Sequence, residues 1–508
     1  MHTCQATAPT TSWSTWVFAF GLASLWLVYP LVSGPLALLR DFWSWSVLCA
    51  VALLWLRQPT PEAALLPALA WSLLLAAVAN AGQGISQAYL LWRHVGVSDV
   101  YGFLHQRNQL ATLCLMGLAA TGWIYPRGKT SPRFGLFLRL FAWAAALLLG
   151  ASLSLSASRT GLLGLVLLWG SAEAMGRHGS SNSAAKDLRT VLRWAVLGYG
   201  LALLPGLLSN TPAFGILARQ SAQEGVDVCS SRLSLWANVL ELILQKPWLG
   251  WGWGELDFAH VTSLFQGERF CALLSNAHNL PLHLAVELGL PLAGVFCSLV
   301  LWGVWCGQPW REHNPHRLLA WSVLLTVGVH SLLEYPLWYG PFQVSTLLCL
   351  WILVRTPRQT APGLAAARNA LPPATARNLQ IALGLGLLAT TFVAVDYYRA
   401  SQIYLQPAQR LGMYRDATQQ QIQKSVFFQD VIDFSQLGLT EVTAENAAHM
   451  HTLTLKMLHF SPEAMVLQKL LTATRLLEKQ EEYDHYQQRF AAAYPDVYQQ
   501  WKASQPGE

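Results

Sequence analysis

The stretch Leu136–Met175 reads L-F-L-R-L-F-A-W-A-A-A-L-L-L-G-A-S-L-S-L-S-A-S-R-T-G-L-L-G-L-V-L-L-W-G-S-A-E-A-M. It is almost continuously apolar over about 40 residues. As one helix it would run roughly 60 Å, twice the thickness of a bilayer's hydrocarbon core. The chain must therefore turn back, and the natural place is S-L-S-L-S-A-S-R-T-G (Ser152–Gly161). The one charge in that turn, Arg159, lies among hydroxyls and small residues that let backbone approach closely, which suits recognition of a lipid phosphate. The plainer reading is an arginine snorkelling to the headgroups.

The rest of the chain repeats that character. Of 508 residues, 53% are hydrophobic and only 12% charged, where a soluble domain carries roughly twice that charged fraction. About eleven runs are long enough to count as candidate spans: Trp13–Val32, Phe42–Leu56, Ala63–Asn80, Leu110–Tyr125, Leu136–Leu155, Gly161–Met175, Val191–Leu208, Leu282–Trp305, Leu318–Leu333, Tyr339–Val354 and Leu379–Val395. The 23 tryptophans suit interfacial belts. The expected fold is an all-α polytopic membrane protein. Met1–Ser12 lacks Lys and Arg, which favours a retained first helix over a cleaved signal peptide.

Loop charge gives an orientation. Pro126–Arg139, Gly176–Arg193, Cys306–Arg317 and Arg355–Asn378 are rich in Arg and Lys and nearly free of acids. Even numbers of spans separate them, so all four fall on one face, and the positive-inside rule makes that face cytoplasmic. The N-terminus is then inside and the C-terminus outside. The opposite face holds Ser209–Ala277, with four basic and six acidic residues. The net charge of +6 belongs to the inner loops and anionic lipid, not to nucleic acid. Cys229 and Cys271 share the large outer loop and are expected to pair in an oxidising compartment; two free thiols are the alternative. No cysteine or histidine array suggests a metal, and no cofactor is expected.

Candidate functional residues collect on the outer face. H-Q-R-N-Q at 105–109 places Gln106, Arg107 and Asn108 at the mouth of the fourth run. Such a group needs water or protein around it, as interfacial snorkelling or as a rim that binds sugar or phosphate. R-L-S-L-W-A-N-V-L-E-L-I-L-Q-K (Arg232–Lys246) has apolar residues at Leu233, Trp236, Leu240 and Leu244, the period of a helix that could lie on the membrane surface with Arg232 in its first turn. G-W-G-W-G-E (Gly250–Glu255) superficially suggests a phosphate loop but has no βαβ context. In N-A-H-N-L-P, Asn276 and Asn279 flank His278. An isolated histidine is more often structural, yet an imidazole is the natural group to take a hydroxyl proton near neutral pH. His283 and Glu287 are four apart and could support it. His330 and Glu334 share the same spacing, either as a structural pair or with Glu334 or Tyr335 completing a site.

Four of these blocks carry a family resemblance: S-R-T-G (158–161), R-L-S-L-W with K-P-W-L-G-W-G, A-H-N-L-P-L-H-L-A-V-E-L-G-L-P, and H-S-L-L-E-Y-P-L-W-Y. They resemble the O-antigen ligase/polymerase superfamily, and with H-Q-R-N-Q most resemble PglL-type protein O-oligosaccharyltransferases. The likeness covers most of Tyr101–Trp351. It implies the all-helical ligase fold and a glycan donor on undecaprenyl diphosphate, with a periplasmic acceptor protein such as a pilin. It also implies His278 as catalytic base, and Arg159 and Arg232 as diphosphate-binding residues, in a bacterial inner membrane. Gln106, Arg107, Asn108, Asn279, Glu334 and Tyr335 are then candidate substrate contacts. Where some relatives carry a second histidine, this chain has Asn276.

The expected division is a transmembrane domain over 1–395, including a catalytic loop at 209–277, and a periplasmic helical domain over 396–508. The tail is polar, with ten basic and thirteen acidic residues, and its helix-pair rhythm suggests a TPR-like array. The expected reaction transfers a preassembled oligosaccharide, without a metal, to Ser or Thr hydroxyls. The alternatives are an O-antigen ligase acting on lipid A–core, a glycan polymerase, a metal-dependent transferase using Glu255 and Asp257, and a lipid-linked glycan transporter without chemistry.

Overall fold

The computed structural model describes residues 13–32, 34–57, 61–93, 99–130, 134–177, 182–208, 229, 231–358 and 372–505. Met1–Ser12, the loop arginines Arg133 and Arg368, Arg219, and most of 209–230 lie outside the described residues. Among the described residues there are helices and no strands, as hydrocarbon demands of a chain that must satisfy its backbone internally. Five helices among the described residues are long and apolar enough to cross a membrane: Gly34–Trp55, Leu65–Trp92, Gly135–Leu155, Leu290–Arg311 and Pro373–Tyr404. The protein is an all-α membrane protein.

The chain divides into two compact units. The first comprises 1–224 and 306–392, the second 225–305 and 393–508. In the first, α1 (Trp13–Ser24), α2 (Leu39–Trp55), α3 (Pro61–Trp92), α4 (Arg107–Ile124), α5 (Gly135–Leu155), α6 (Arg159–Arg177) and α7 (Ser183–Leu208) run in order. Helix α4 is the axis: every residue from Asn108 to Ile124 is buried, against α3, α5, α6 and α7. Small residues make this closeness attainable. A Cβ on Gly150 would lie 1.9 Å from the Ala195 carbonyl oxygen, and one on Gly161 would lie 2.6 Å from Ala111 Cβ. The turn expected within Ser152–Gly161 is present, between the ends of α5 and α6, with Ala157 at φ +51°. Helix α3 runs twelve residues beyond the apolar run that predicts it, from Asn80 to Trp92. There Gln87 is buried, and its side chain bonds the Tyr101 and Gly102 amides and the Gly102 carbonyl.

The basic loops are tied down by their few acids. Lys129 pairs with Asp187 at 2.5 Å, Arg189 with Glu173 at 2.9 Å, and Arg317 with Glu312 at 2.7 Å.

In the second unit, α8 (Arg232–Gln245), α9 (Leu256–Thr262), α10 (Leu280–Leu288) and α11 (Leu290–Gly307) follow in order. The apolar run 282–305 is thus not one helix. It breaks at Gly289, φ +85°, where an added Cβ would meet the Trp248 carbonyl oxygen at 2.1 Å. The remaining long helices of the first unit are α12 (Pro315–Ser331) and α13 (Gly340–Arg355), and α14 (Pro373–Ala400) leads into the tail. There α15 (Gln429–Leu439), α16 (Ala447–Phe460), α17 (Ala464–Leu476), α18 (Gln480–Ala493) and α19 (Pro495–Ser504) each pack on the next. Their core of Leu437, Met450, Met457, Leu467, Leu471 and Phe490 also takes in Val261 of α9. Glu255–His459 at 2.8 Å and Arg489 Nε donating to the Thr262 carbonyl at 2.6 Å join the α9 segment to the tail.

Candidate active site

The sequence-selected residues fall into two groups, one in each unit. In the first unit they meet at one end of α4. Asn108 is 9% exposed and links two segments. Its Nδ2 donates to Glu334 Oε1 at 2.9 Å, and its Oδ1 accepts from Ser158 Oγ at 2.7 Å. Ser158 Oγ also accepts the Gly161 amide at 3.0 Å, fixing the start of α6 and so the backbone of Arg159, which is exposed. One turn along α4, Thr112 Oγ1 lies 3.0 Å from His330 Nδ1. His330 and Glu334 do not share a helix face as their spacing predicts. Helix α12 ends at Ser331, and Glu334 stands in the turn that follows. Tyr335 stacks on Tyr339 with centroids 5.7 Å apart.

The other two rim residues are placed differently. Arg107 opens α4 but pairs with Asp99 at 3.0 Å. Gln106 sits at the N-cap without a side-chain cap bond, and its buried Oε1 accepts nothing among the described residues.

In the second unit, Ser231 caps α8 by accepting the Ser234 amide at 3.1 Å, leaving Arg232 as the first helical residue. One turn on, Trp236 Nε1 donates to the Ala277 carbonyl at 3.0 Å. Ala277 precedes His278, which has φ +51°, and the His278 amide donates to Asn276 Oδ1 at 2.9 Å. Asn279 then caps α10 by accepting the Leu282 amide at 3.1 Å. The two asparagines therefore shape the backbone on either side of His278. Behind them, buried His283 and Glu287 approach to 3.5 Å.

The Gly/Trp segment is a strap across α10. The Trp251 and Gly252 amides donate to the Val286 and Glu287 carbonyls at 2.9 Å each, and a Cβ on Gly250, φ +68°, would lie 2.4 Å from the Glu287 backbone. Cys229 and Cys271 form a disulfide, Cα–Cα 5.3 Å. It ties the segment just before α8 to the segment leading to His278.

On α9, burial acts on two titratable groups. It raises the Asp257 carboxyl to about 6, with Glu255 adding to the rise. It lowers the His260 imidazole to about 3, helped by Arg269. Glu255 is engaged with His459, and Asp257 Oδ1 accepts the Phe258 amide at 2.8 Å. Among the described residues no three His, Cys, Asp or Glu side chains gather as a metal-binding group.

Sequence reasoning met Ser158 only within the S-R-T-G block and passed over Thr112, Asn80 and Gln87. The signal for the last two was present. They are seven apart, two turns on one helix face, and both hold the 101–103 segment: Asn80 Oδ1 accepts the Phe103 amide at 3.0 Å.

Residues 101–297 match the family described as O-Antigen ligase, and residues 318–506 match Virulence factor membrane-bound polymerase, C-terminal. It is 25% identical over 325 residues to a general O-oligosaccharyltransferase of Acinetobacter baylyi, covering 61% of this chain and 52% of that protein. It is 24% identical over 222 residues to a ComP-specific O-oligosaccharyltransferase of the same organism, covering 43% and 39%. It is 28% identical over 211 residues to an O-antigen ligase of Pseudomonas aeruginosa, covering 40% and 44%. The chain thus spans about half the length, or less, of the curated relatives it matches.

Proposed function

We propose that this chain transfers a preassembled oligosaccharide from undecaprenyl diphosphate to Ser or Thr hydroxyls of a periplasmic protein, pilin-like or other. It would do so in a bacterial inner membrane, with its N-terminus cytoplasmic and the site and tail periplasmic. The carrying observation is the bond from Trp236 to Ala277, which sets the helix of Arg232 beside the turn of His278. The two oligosaccharyltransferase relatives favour a protein acceptor.

In this reading Arg159 and Arg232 hold the diphosphate and neutralise charge as it departs. His278 takes the hydroxyl proton. The acceptor oxygen bonds to the anomeric carbon as the bond from that carbon to the diphosphate breaks, so configuration inverts and undecaprenyl diphosphate leaves. Gln106, Arg107, Asn108, Asn279, Glu334 and Tyr335 serve as substrate contacts or hold those contacts in place. The step uses no metal, and activity should survive EDTA; loss in EDTA would turn attention to Glu255 and Asp257.

The test compares wild type with His278→Ala at matched expression, in cells supplied with a lipid-linked glycan. Glycoprotein made only by wild type is the expected result. Glycoprotein made by both would remove His278 as base. The second reading, an O-antigen ligase, is favoured by the Pseudomonas relative, and modification of lipopolysaccharide alone would select it.

A further inference from the structure

The apolar run of α14 ends at Val395, and Asp396 is the first charge after it. From Leu379 to Val395 a helix rises about 25 Å, close to the thickness of the hydrocarbon core. The most apolar part of this helix is 0% buried in protein, so its sides face lipid and Asp396 stands at the hydrocarbon edge. A carboxylate at that depth needs partners. Asp396 is 2% exposed, and its Oδ2 accepts from Ser425 Oγ, the Val426 amide and the Phe427 amide, each at 2.9 Å. Arg399 approaches Asp396 Oδ1 at 3.4 Å and donates to the Lys424 carbonyl at 2.8 Å.

These bonds fix a turn of the tail at the depth of the membrane boundary. Its backbone faces Asp396, while Val426 and Phe427 are 63% and 59% exposed. Val395, at the end of the lipid-facing run, is 56% exposed, so the apolar surface passes from the spanning helix to the turn. Lys424 and Arg399 supply cations beside it, where anionic headgroups lie.

We propose that Val426 and Phe427 form a wedge that enters the outer leaflet and seats the tail on the bilayer. The occupant of this patch is lipid, because the patch continues a lipid-facing helix and is flanked by cations.

The test uses the full chain in vesicles of phosphatidylethanolamine and phosphatidylglycerol. A nitroxide is placed at Phe427→Cys in a background keeping only the Cys229–Cys271 pair. Oxygen should relax it several-fold more than a water-soluble nickel chelate does, as at Leu388→Cys in the apolar run and opposite to Lys502→Cys. Grouping with Lys502→Cys would overturn the proposal. Shielding from both reagents would also overturn it, assigning the patch to a second copy or another protein. With all native cysteines kept, a photoreactive diazirine side chain in place of Phe427 gives an independent reading. A phospholipid adduct is expected; a protein adduct overturns the wedge.

Discussion

Trp236 and Ala277 are joined by an indole N–H to carbonyl bond of 3.0 Å, and through it α8, one turn past Arg232, is tied to the backbone just before His278. Trp236→Phe keeps an aromatic ring, smaller than the indole, and removes the donor. Loss of one such bond costs about 1 kcal/mol, and the geometry it holds matters more than the energy. Glycan transfer should fall about tenfold or more, with the variant extracted from membranes at wild-type yield. Unchanged transfer would show that the bond is not what aligns the site.

Asn108 joins Ser158 and Glu334 inside the first unit. Asn108→Leu removes a donor from a buried carboxylate and an acceptor from a buried hydroxyl, at a cost of roughly 2–4 kcal/mol. The midpoint of heat-induced aggregation in detergent should drop by several degrees. Asn108→Asp, which sets a second carboxylate against Glu334, should drop further.

Gly250 combines φ +68° with a Cβ position 2.4 Å from the Glu287 backbone. Gly250→Ala should therefore cost about 3 kcal/mol or more, releasing the strap from α10. Limited proteolysis should cut near Trp251–Gly254 in the variant and leave wild type intact.

The Cys229–Cys271 link closes a loop with sequence separation 42, for which chain entropy gives a stabilisation of at most about 4 kcal/mol. A maleimide added after denaturation without reductant should leave this pair unlabelled. Replacing both residues with Ser should lower transfer more at 37 °C than at 20 °C.

The pH response of the second unit should carry two opposed contributions. The folded-state pKa of Asp257 is raised to about 6, so its contribution is present below the unfolded value near 4 and is lost as pH rises through 6. That of His260 is lowered to about 3, so its contribution is present above about 6.5 and is lost as pH falls toward 3. Between pH 4 and 6 the two largely offset each other. Asp257→Asn should make unfolding more acid-sensitive in that window and His260→Gln less, read as opposite shifts in the unfolding midpoint between pH 4.5 and 7.

The hairpin of α5 and α6 was legible because an apolar run of that length has no other way to stay in a bilayer. Gly161 was legible only as part of a motif; its cause is the approach of Ala111 on α4, which no local pattern announces. Hydropathy cannot separate a lipid-facing helix from one sheathed in protein, so the central place of α4 was hidden. The spacing of His330 and Glu334 misled because α12 stops at Ser331, and an (i, i+4) argument holds only while the helix continues. The glycines at 250–254 were visible as unusual, but the carbonyls of α10 that demand them lie more than thirty positions away in the chain.

Helix α4 is enclosed from Asn108 to Ile124 and is not among the five helices apolar enough to cross a membrane by composition. That frees it to carry Asn108, Gln109 and Thr112, and it also makes α4 a poor independent substrate for the insertion machinery. Its entry into the bilayer depends on its neighbours, α3 made before it and the α5–α6 hairpin made after it. The order of biogenesis is therefore written into the packing, and a fusion truncated after Ile124 should leave α4 on the wrong side of the membrane far more often than one truncated after Arg177.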